Sequence, residues 1–510
     1  MVRCHVGIDD WDHVHPGNLT RSHTMSTSRG LLIGDEEVQA QDGASFSDTD
    51  PYTGDLVATV AAAKPIDVGR AVESAAKAFP SWSQSSPSER RSIFLKAADL
   101  MEAKAPELTA AMTAETGSTF GWGMFNAGFA ASILREAAAA TTHPLGQVLA
   151  TDTPGALSLA IRQPSGVVAA FAPWNAPLIL GIRSVAIAIA TGNTVVMKPS
   201  EQAPLTSGLS LADLLREAGL PAGVCNVVTN DPSEAAQIAE ALISDPRVTR
   251  VSFTGSTRVG RIIGGLAAKH LKPAVLELGG KNSLIVLDDA DLNYAANAVA
   301  FAAYMNSGQI CMSADRVLVQ RRAADEFVDL LRTKAGSLAS GDPRDPKTVI
   351  GPLIHADAAQ RVAELVEEAV AAGSKVEVGG GPAEGALFAA TVLTGVSSGS
   401  RLAREEIFGP VCAVGIFDNE DEAVDSANST AYGLTAGILT EDVRRGYVIA
   451  RRLHTGIVHI NDQSVDDEAQ APFGGIGDSG YGRFGGQAGI EAFTSLRWIT
   501  LQMGHRPFPI

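Results

Sequence analysis

From residue 166 onward, short runs rich in β-branched residues alternate with alanine- and leucine-rich stretches of helical length, and this rhythm limits the folds open to the chain. Residues 167–171, 194–197, 224–228 and 249–253 read as strands. The alternation resumes after Ser283 with residues 284–287, 316–319, 411–416 and 456–460. Strands separated by helices pair in parallel, because each helix carries the chain back to the same end of the sheet and covers one of its faces. Two such series predict two α/β lobes. At 510 residues the chain is long enough for two or three domains, each with its own core.

The segment before residue 166 has a different character. Ser86-Pro87-Ser88-Glu89 opens a helix, with Ser86 as N-cap, Pro87 at the first helical position and Glu89 completing a capping box. Ile93, Ala97, Leu100 and Met101 share one face of that helix. A second helix is expected over residues 117–140, with Trp122, Phe125, Phe129 and Ile133 on one stripe. Residues 147–162 form two strand-like arms around Asp152-Thr153-Pro154-Gly155, a turn signal, and predict a separate ribbon. The first two dozen residues carry His5, His13, His15 and His23 among polar residues, without the period or partners of a metal site, so no metal is assigned. Met25 suits a natural start, which makes residues 1–24 an expected disordered extension. They hold no apolar core of a secretory signal.

Composition excludes several functions. The formal charge of −17 and the lack of a basic stripe argue against nucleic acid as a partner. No apolar run reaches the roughly 18–20 residues that span a bilayer, so no membrane is expected. Cys4, Cys225, Cys311 and Cys412 are far apart and show no C-x-x-C spacing. That fits a reducing, cytoplasmic location without disulfides or zinc.

Two residues propose a reaction. Cys311 follows Gly308-Gln309-Ile310 and lies 34 residues (311 − 277) after Glu277, which is followed by Gly279-Gly280-Lys281-Asn282. A cysteine becomes a nucleophile when a helix terminus or a turn of backbone N–H groups lowers its pKa; otherwise it is an inert buried thiol. Glu277 closes an apolar run, where desolvation raises a carboxyl toward the range of a general base; a paired structural glutamate fits equally well. Asn175 ends the first strand of the first series and can donate to a developing oxyanion, or simply cap the helix that begins near Pro177. Lys198-Pro199-Ser200-Glu201 ends the next strand, at the edge where α/β sheets bind ligands, and suits ribose hydroxyls or a solvated turn. Phe253-Thr254-Gly255-Ser256 runs from a strand into a helix whose first N–H groups can hold a phosphate.

Taken in order, Asn175, Lys198, Glu201, Ser256, Glu277, Cys311, Glu405-Glu406-Ile407-Phe408-Gly409-Pro410 and Pro472-Phe473-Gly474-Gly475 resemble the aldehyde dehydrogenase superfamily over residues 30 to 502. The resemblance implies that Cys311 adds to an aldehyde, that Asn175 and the Cys311 N–H hold the oxyanion, and that Glu277 activates water to release the acid from a thioester. It implies NAD as cofactor, with NADP as the alternative, held by Pro173, Trp174, Lys198, Ser200, Glu201, Gly255, Ser256, Leu278, Gly279, Glu406 and Phe408. It also implies an α/β fold with a Rossmann-like cofactor domain (25–144 and 164–278), a catalytic domain (279–488) and a ribbon (145–163 and 489–510) that builds a homodimer or homotetramer. Residues 173–183, 226–230, 466–470 and 479–486 are similar to the salicylaldehyde, vanillin and benzaldehyde dehydrogenase branch. Asn230 fits that branch, and Asp50-Pro51 replaces the commoner Asn-Pro. Substrate contacts are then expected from Ala176, which leaves room for a ring, from Arg183 toward a ring hydroxyl or phenolate, and from Trp122 by stacking. The alternatives are a semialdehyde or aliphatic aldehyde dehydrogenase, and a non-catalytic protein on the same scaffold.

Overall fold

The computed structural model describes residues 27–508. Its first large sheet has eight strands in the spatial order Gly480–Tyr481, Ala274–Glu277, Val248–Thr254, Val167–Phe171, Thr194–Lys198, Cys225–Val227, Leu31–Ile33, Glu36–Val38. The five middle strands run parallel, and the additions at both edges are antiparallel. Val167–Phe171 and Thr194–Lys198 are buried along their whole length, as expected of strands covered by helices on both faces. The chain winds outward from Val167–Phe171 and then returns to place Val248–Thr254 on its other side. This reversal opens a crevice at the carboxyl ends of these strands.

The second sheet has the order Lys375–Val378, Thr391–Thr394, Val411–Phe417, Arg316–Gln320, Ser283–Val286, Thr435–Leu439, Ile457–Ile460, and all of its pairings are parallel except at the Lys375–Val378 edge. Five residues, 278–282, lead from Glu277 at the end of one sheet to Ser283 at the start of the other. So short a link makes the carboxyl end of the first sheet face the amino end of the second. A buried ion pair fastens it: Lys281 Nζ lies 3.0 Å from Asp315 Oδ2 and donates to the Leu402 carbonyl at 2.8 Å. Asp315 Oδ2 also accepts from the Ile407 N–H at 3.0 Å, which ties the Glu406 loop to the same point. Burial lowers the Lys281 pKa, against the opposing charge of Asp315.

The expected ribbon is present. Gly146–Leu149 and Ala156–Pro164 form a hairpin, with Gly155 at φ +73° in its turn, and Thr494–Gln502 pairs along the whole of its second arm. Val148, Leu496 and Trp498 are exposed on it. Other expectations need correction. The second early helix runs Phe120–Ala140, because Gly117, at φ +69°, ends the preceding helix Ala105–Thr116. Phe125 is 48 % exposed rather than part of a buried stripe, and Leu100 is only partly buried while Phe94 and Ala98 fill the core. Ser86 Oγ accepts from the Glu89 N–H at 3.1 Å, but the return bond of a capping box is not made. Gly480–Tyr481, within the segment assigned to the catalytic domain, pairs with the edge of the first sheet. The histidine tract, Cys4 and the extension before Met25 lie outside the described residues. Among those described, no helix is long and apolar enough to cross a membrane.

Asp315→Ala strands the Lys281 ammonium in the interior, and removing one partner of a buried pair costs about 3–5 kcal/mol. Denaturant unfolding should show a loss of that size; a loss below about 1 kcal/mol would contradict the role given to the pair.

Candidate active site

The cofactor-facing side is built from strand ends. Lys198 Nζ pairs with Glu201 Oε1 at 2.6 Å, and Asn230 Nδ2 donates to the same oxygen at 2.8 Å. Burial works to raise the Glu201 carboxyl, but Lys198 and Asn230 bring it below its usual range, so it is an anion. Ser200 shapes this turn through its backbone, donating from N–H to Ser207 Oγ at 3.2 Å. Glu115, which the sequence did not single out, anchors the following turn by accepting from the N–H groups of Leu205 at 2.7 Å and Thr206 at 2.8 Å. Ser256 caps the helix Thr257–Lys269; its Oγ accepts from the Val259 N–H, which leaves the hydroxyl hydrogen free to donate. Gly255 N–H is bonded to the Glu277 carbonyl at 3.0 Å, and a Cβ on Gly255 would press on the Phe253 ring.

The other wall descends from the second sheet. Glu406 Oε1 accepts from the Gly280 N–H at 2.9 Å, and burial pushes its carboxyl up to about 7. A Cβ on Gly279 would sit 2.5 Å from Glu406 Oε2, so only glycine leaves this carboxylate accessible. Phe408, at φ +53°, sets its ring edge-on to Trp174 with centroids 5.6 Å apart, beside Pro173. Leu278 N–H donates to the Ser479 carbonyl. A helix N-terminus with a free hydroxyl, a carboxylate with a lysine at one strand end and a second carboxylate opposite are the donor and acceptor set that a dinucleotide's phosphates and riboses require.

Cys311 follows three consecutive residues in left-handed conformation: Asn306, Ser307 and Gly308, at φ +49°, +55° and +72°. The first two conformations are costly for residues with a Cβ, of order 1–3 kcal/mol each, and side-chain bonds hold them. Asn306 Oδ1 accepts from Ser118 Oγ, Asn306 Nδ2 donates to the Asn175 carbonyl at 2.9 Å, and Ser307 Oγ donates to the Gly351 carbonyl at 2.9 Å. Asn282 Nδ2 grips the carbonyls of Cys311 at 2.8 Å and Ser313 at 2.9 Å. Asn175 Nδ2 donates one hydrogen to the Gln309 carbonyl at 2.9 Å and keeps the other free. Trp122 Nε1 donates to the Asn175 carbonyl at 3.0 Å, so the tryptophan expected to meet a substrate ring braces Asn175.

Glu277 is 2 % exposed, and among the described residues neither of its carboxyl oxygens makes a well-formed hydrogen bond, the Gly475 N–H being the backbone donor that acts on it. Burial drives its pKa well above the carboxylate range, Asp467 adds to the shift, and Arg483 and Arg183 oppose it. Any side chain at position 474 would collide with that carboxyl, and Gly474 is in place at φ +155°. Of the two readings left open for Cys311, its surroundings do not produce the lowered thiol pKa. Cys311 keeps partial solvent contact, yet the protein packed around its sulfur and the carboxylates of Glu406 and Glu277 push it up to about 12. Cys225 and Cys412 are buried and likewise raised.

Ala176 and Arg183 lie at the start and middle of the buried helix Pro177–Ala190, Ala176 as its N-cap. The Arg183 guanidinium lies over the ring of Phe473 at 4.5 Å and that of Phe129 at 5.7 Å, and Nη2 binds Asp467 Oδ2 at 2.5 Å. Its charge is felt at both Cys311 and Glu277. The structure thus gathers Asn175, Ala176, Arg183, Glu277 and Cys311 between the two sheets. Asn282 and Lys281 stood unread beside Glu277 in the sequence; Asn306, Asp315 and Glu115 carried no local signal.

This is the architecture of a thiol-dependent, dinucleotide-linked oxidoreductase. Residues 38–499 match the aldehyde dehydrogenase family, and the chain belongs to that family. It is 50% identical over 480 residues to a vanillin dehydrogenase of Pseudomonas fluorescens, covering 94% of this chain and 99% of that protein. It is 39% identical to a benzaldehyde dehydrogenase (NAD+) of Pseudomonas putida, covering 92% and 96%. The crystal structure of a salicylaldehyde dehydrogenase from Pseudomonas putida G7, complexed with salicylaldehyde, superposes with a TM-score of 0.93 at 40% identity and covers 95% of this chain and 100% of that one. Membership makes the chain an enzyme that oxidises aldehydes with NAD or NADP.

A thiol raised to about 12 is almost wholly protonated at neutral pH. Alkylation of Cys311 by iodoacetamide in the cofactor-free enzyme should therefore accelerate by about tenfold per pH unit up to at least about pH 10. A rate that levels off below about pH 8 would contradict this environment.

Proposed function

We propose that this enzyme oxidises aromatic aldehydes, of the vanillin, salicylaldehyde or benzaldehyde type, to their carboxylic acids with NAD. The observation that carries the reading is the aromatic and cationic wall beside Cys311: Trp122, Phe129 and Phe473 with the Arg183 guanidinium between the last two rings, and only a methyl at Ala176. A flat ring fits against such a wall, and a guanidinium N–H can meet an oxygen on it.

The residues divide the work. Cys311 sulfur bonds to the aldehyde carbon while its proton leaves to water, with which Cys311 keeps partial contact, so that Glu277 remains free to act later. The free hydrogen of Asn175 Nδ2 and the Cys311 N–H stabilise the oxyanion, each donor of this kind supplying about 3–4 kcal/mol. When bound along Lys198, Glu201, Ser256 and Glu406, the dinucleotide supplies the hydride acceptor that turns the adduct into a thioester. Glu277, buried and without a side-chain partner, then takes a proton from water as the oxygen attacks the thioester carbon, and the acid departs as the Cys311 sulfur is released. Glu201 is an anion at the adenosine-ribose position, which favours NAD over a cofactor with a 2′-phosphate. The domain partition at residue 278, a cytoplasmic location, and a homodimer or homotetramer built through the ribbon complete the proposal; exposed Val148, Leu496 and Trp498 support the last.

An aldehyde panel assayed for NADH formation tests the reading. Benzaldehydes should exceed succinic semialdehyde and hexanal in kcat/KM, and the reverse order would sink it. Cys311→Ala should abolish NADH formation. Arg183→Leu should weaken hydroxylated benzaldehydes about tenfold more than benzaldehyde, the worth of one charge-assisted hydrogen bond; a uniform loss would make Arg183 merely structural.

A further inference from the structure

Arg183 and Asp467 are both nearly buried, at 6 % and 10 % side-chain exposure, with Nη2 and Oδ2 2.5 Å apart. Taking two charges out of water is costly, and an apolar pair would serve stability as well. The guanidinium lies between Phe129 and Phe473, and only Nη2 is engaged. Among the described residues Nε and Nη1 find no acceptor. A cleft lined by Ile133, Glu136, Ile187, Ala469 and Phe484 reaches the same side chain. The arginine is therefore fixed at one end and free to donate at the other.

What it donates to depends on Asp467. A lone guanidinium in a low-dielectric site attracts an anion strongly. With a carboxylate against one edge the pair is neutral overall, and an incoming anion meets Asp467 as well as Arg183. The remaining charged and titratable neighbours do not restore a net positive field. Glu277 and Cys311 face Arg183, Asp466 faces Asp467, Glu136 shares the cleft, and Arg483 acts on Glu277. A neutral oxygen acceptor suits Nε and Nη1; an oxyanion does not.

Resting on the aromatic reading above, we propose that Asp467 is a specificity-determining positioning residue. By anchoring and neutralising Arg183 it makes the pocket select rings that carry a neutral oxygen, hydroxyl or methoxy, and reject the corresponding phenolate.

The test compares kcat/KM for 3-hydroxybenzaldehyde and 3-methoxybenzaldehyde from about pH 6 to about pH 10. Both report the enzyme's own ionisations, so their ratio isolates that of the ring hydroxyl, and the meta position limits its effect on the carbonyl. In the wild-type enzyme the ratio should fall about tenfold or more across this range, as an anion is turned away from a buried carboxylate. A flat or rising ratio would overturn the proposal without any variant. In Asp467→Asn, which keeps the shape but leaves Arg183 uncompensated, the ratio should hold or rise, and Asp467→Glu should restore the fall. An Asp467→Asn ratio that falls as in wild type would overturn the assigned role. A wild-type enzyme that prefers hexanal to benzaldehyde would remove the aromatic reading itself, and with it this inference, in a separate assay.

Discussion

The Lys281–Asp315 pair, buried where two sheets meet, is the constraint on which the site depends. Only residues 278–282 separate Glu277, at the end of one sheet, from Ser283, at the start of a strand in the other. Lys281 fixes that link from within, and Asp315 reaches on to the backbone of Ile407, so the loop carrying Glu406 and Phe408 is held by the same two charges. Glu277 and Cys311 come from different sheets, and no local interaction would bring them together. The geometry of an aldehyde-binding cleft follows from a link too short to let the sheets separate.

Burial then sets the chemistry. The same desolvation that makes Lys281–Asp315 rigid raises Glu277, Glu406 and Cys311 together. A carboxyl without hydrogen-bond partners is a poor structural element and a good proton acceptor, provided that it is needed only briefly. The thiol is less obvious. Its neighbours disfavour the thiolate, so under the proposed mechanism its activation comes from losing the proton as the carbonyl carbon approaches, not from a standing negative charge. The left-handed run at Asn306, Ser307 and Gly308 fits this account, because it holds the sulfur's backbone in place through side-chain bonds instead of aiming a helix end at it.

Much of this was legible in the sequence, and the reasons differ by residue. Four strands of each large sheet stood out because fully buried parallel strands are short, apolar and bounded by turns, and their ends agree with the structure to within one residue; Ala274–Glu277, Thr391–Thr394 and Thr435–Leu439 were not read as strands. The ribbon was legible because Pro154 and Gly155 enforce a turn between alternating arms. Cys311 and Glu277 drew attention by their chemistry and the glycines beside them. Arg183 was legible as a cation in an apolar helix, but its partner was not: Asp467 lies 284 residues away (467 − 183) and reads as one acid among several. The direction of the Cys311 shift, left open by the sequence, depends first on burial and then on Glu406, both set only by tertiary structure. Gly117 was read as the start of a helix, although its left-handed conformation makes it the end of another.

The central claim is that Glu277 serves as the base that frees the acid from Cys311, and Glu277→Gln tests it most directly. With benzaldehyde and NAD this variant should form about one NADH per active site in a single rapid phase and then stop, as removal of a general base slows its step by roughly 10²–10⁴-fold. Intact-mass analysis should find the aroyl group retained on Cys311. Continued turnover at the wild-type rate, or a protein with no acyl group on Cys311, would contradict the account.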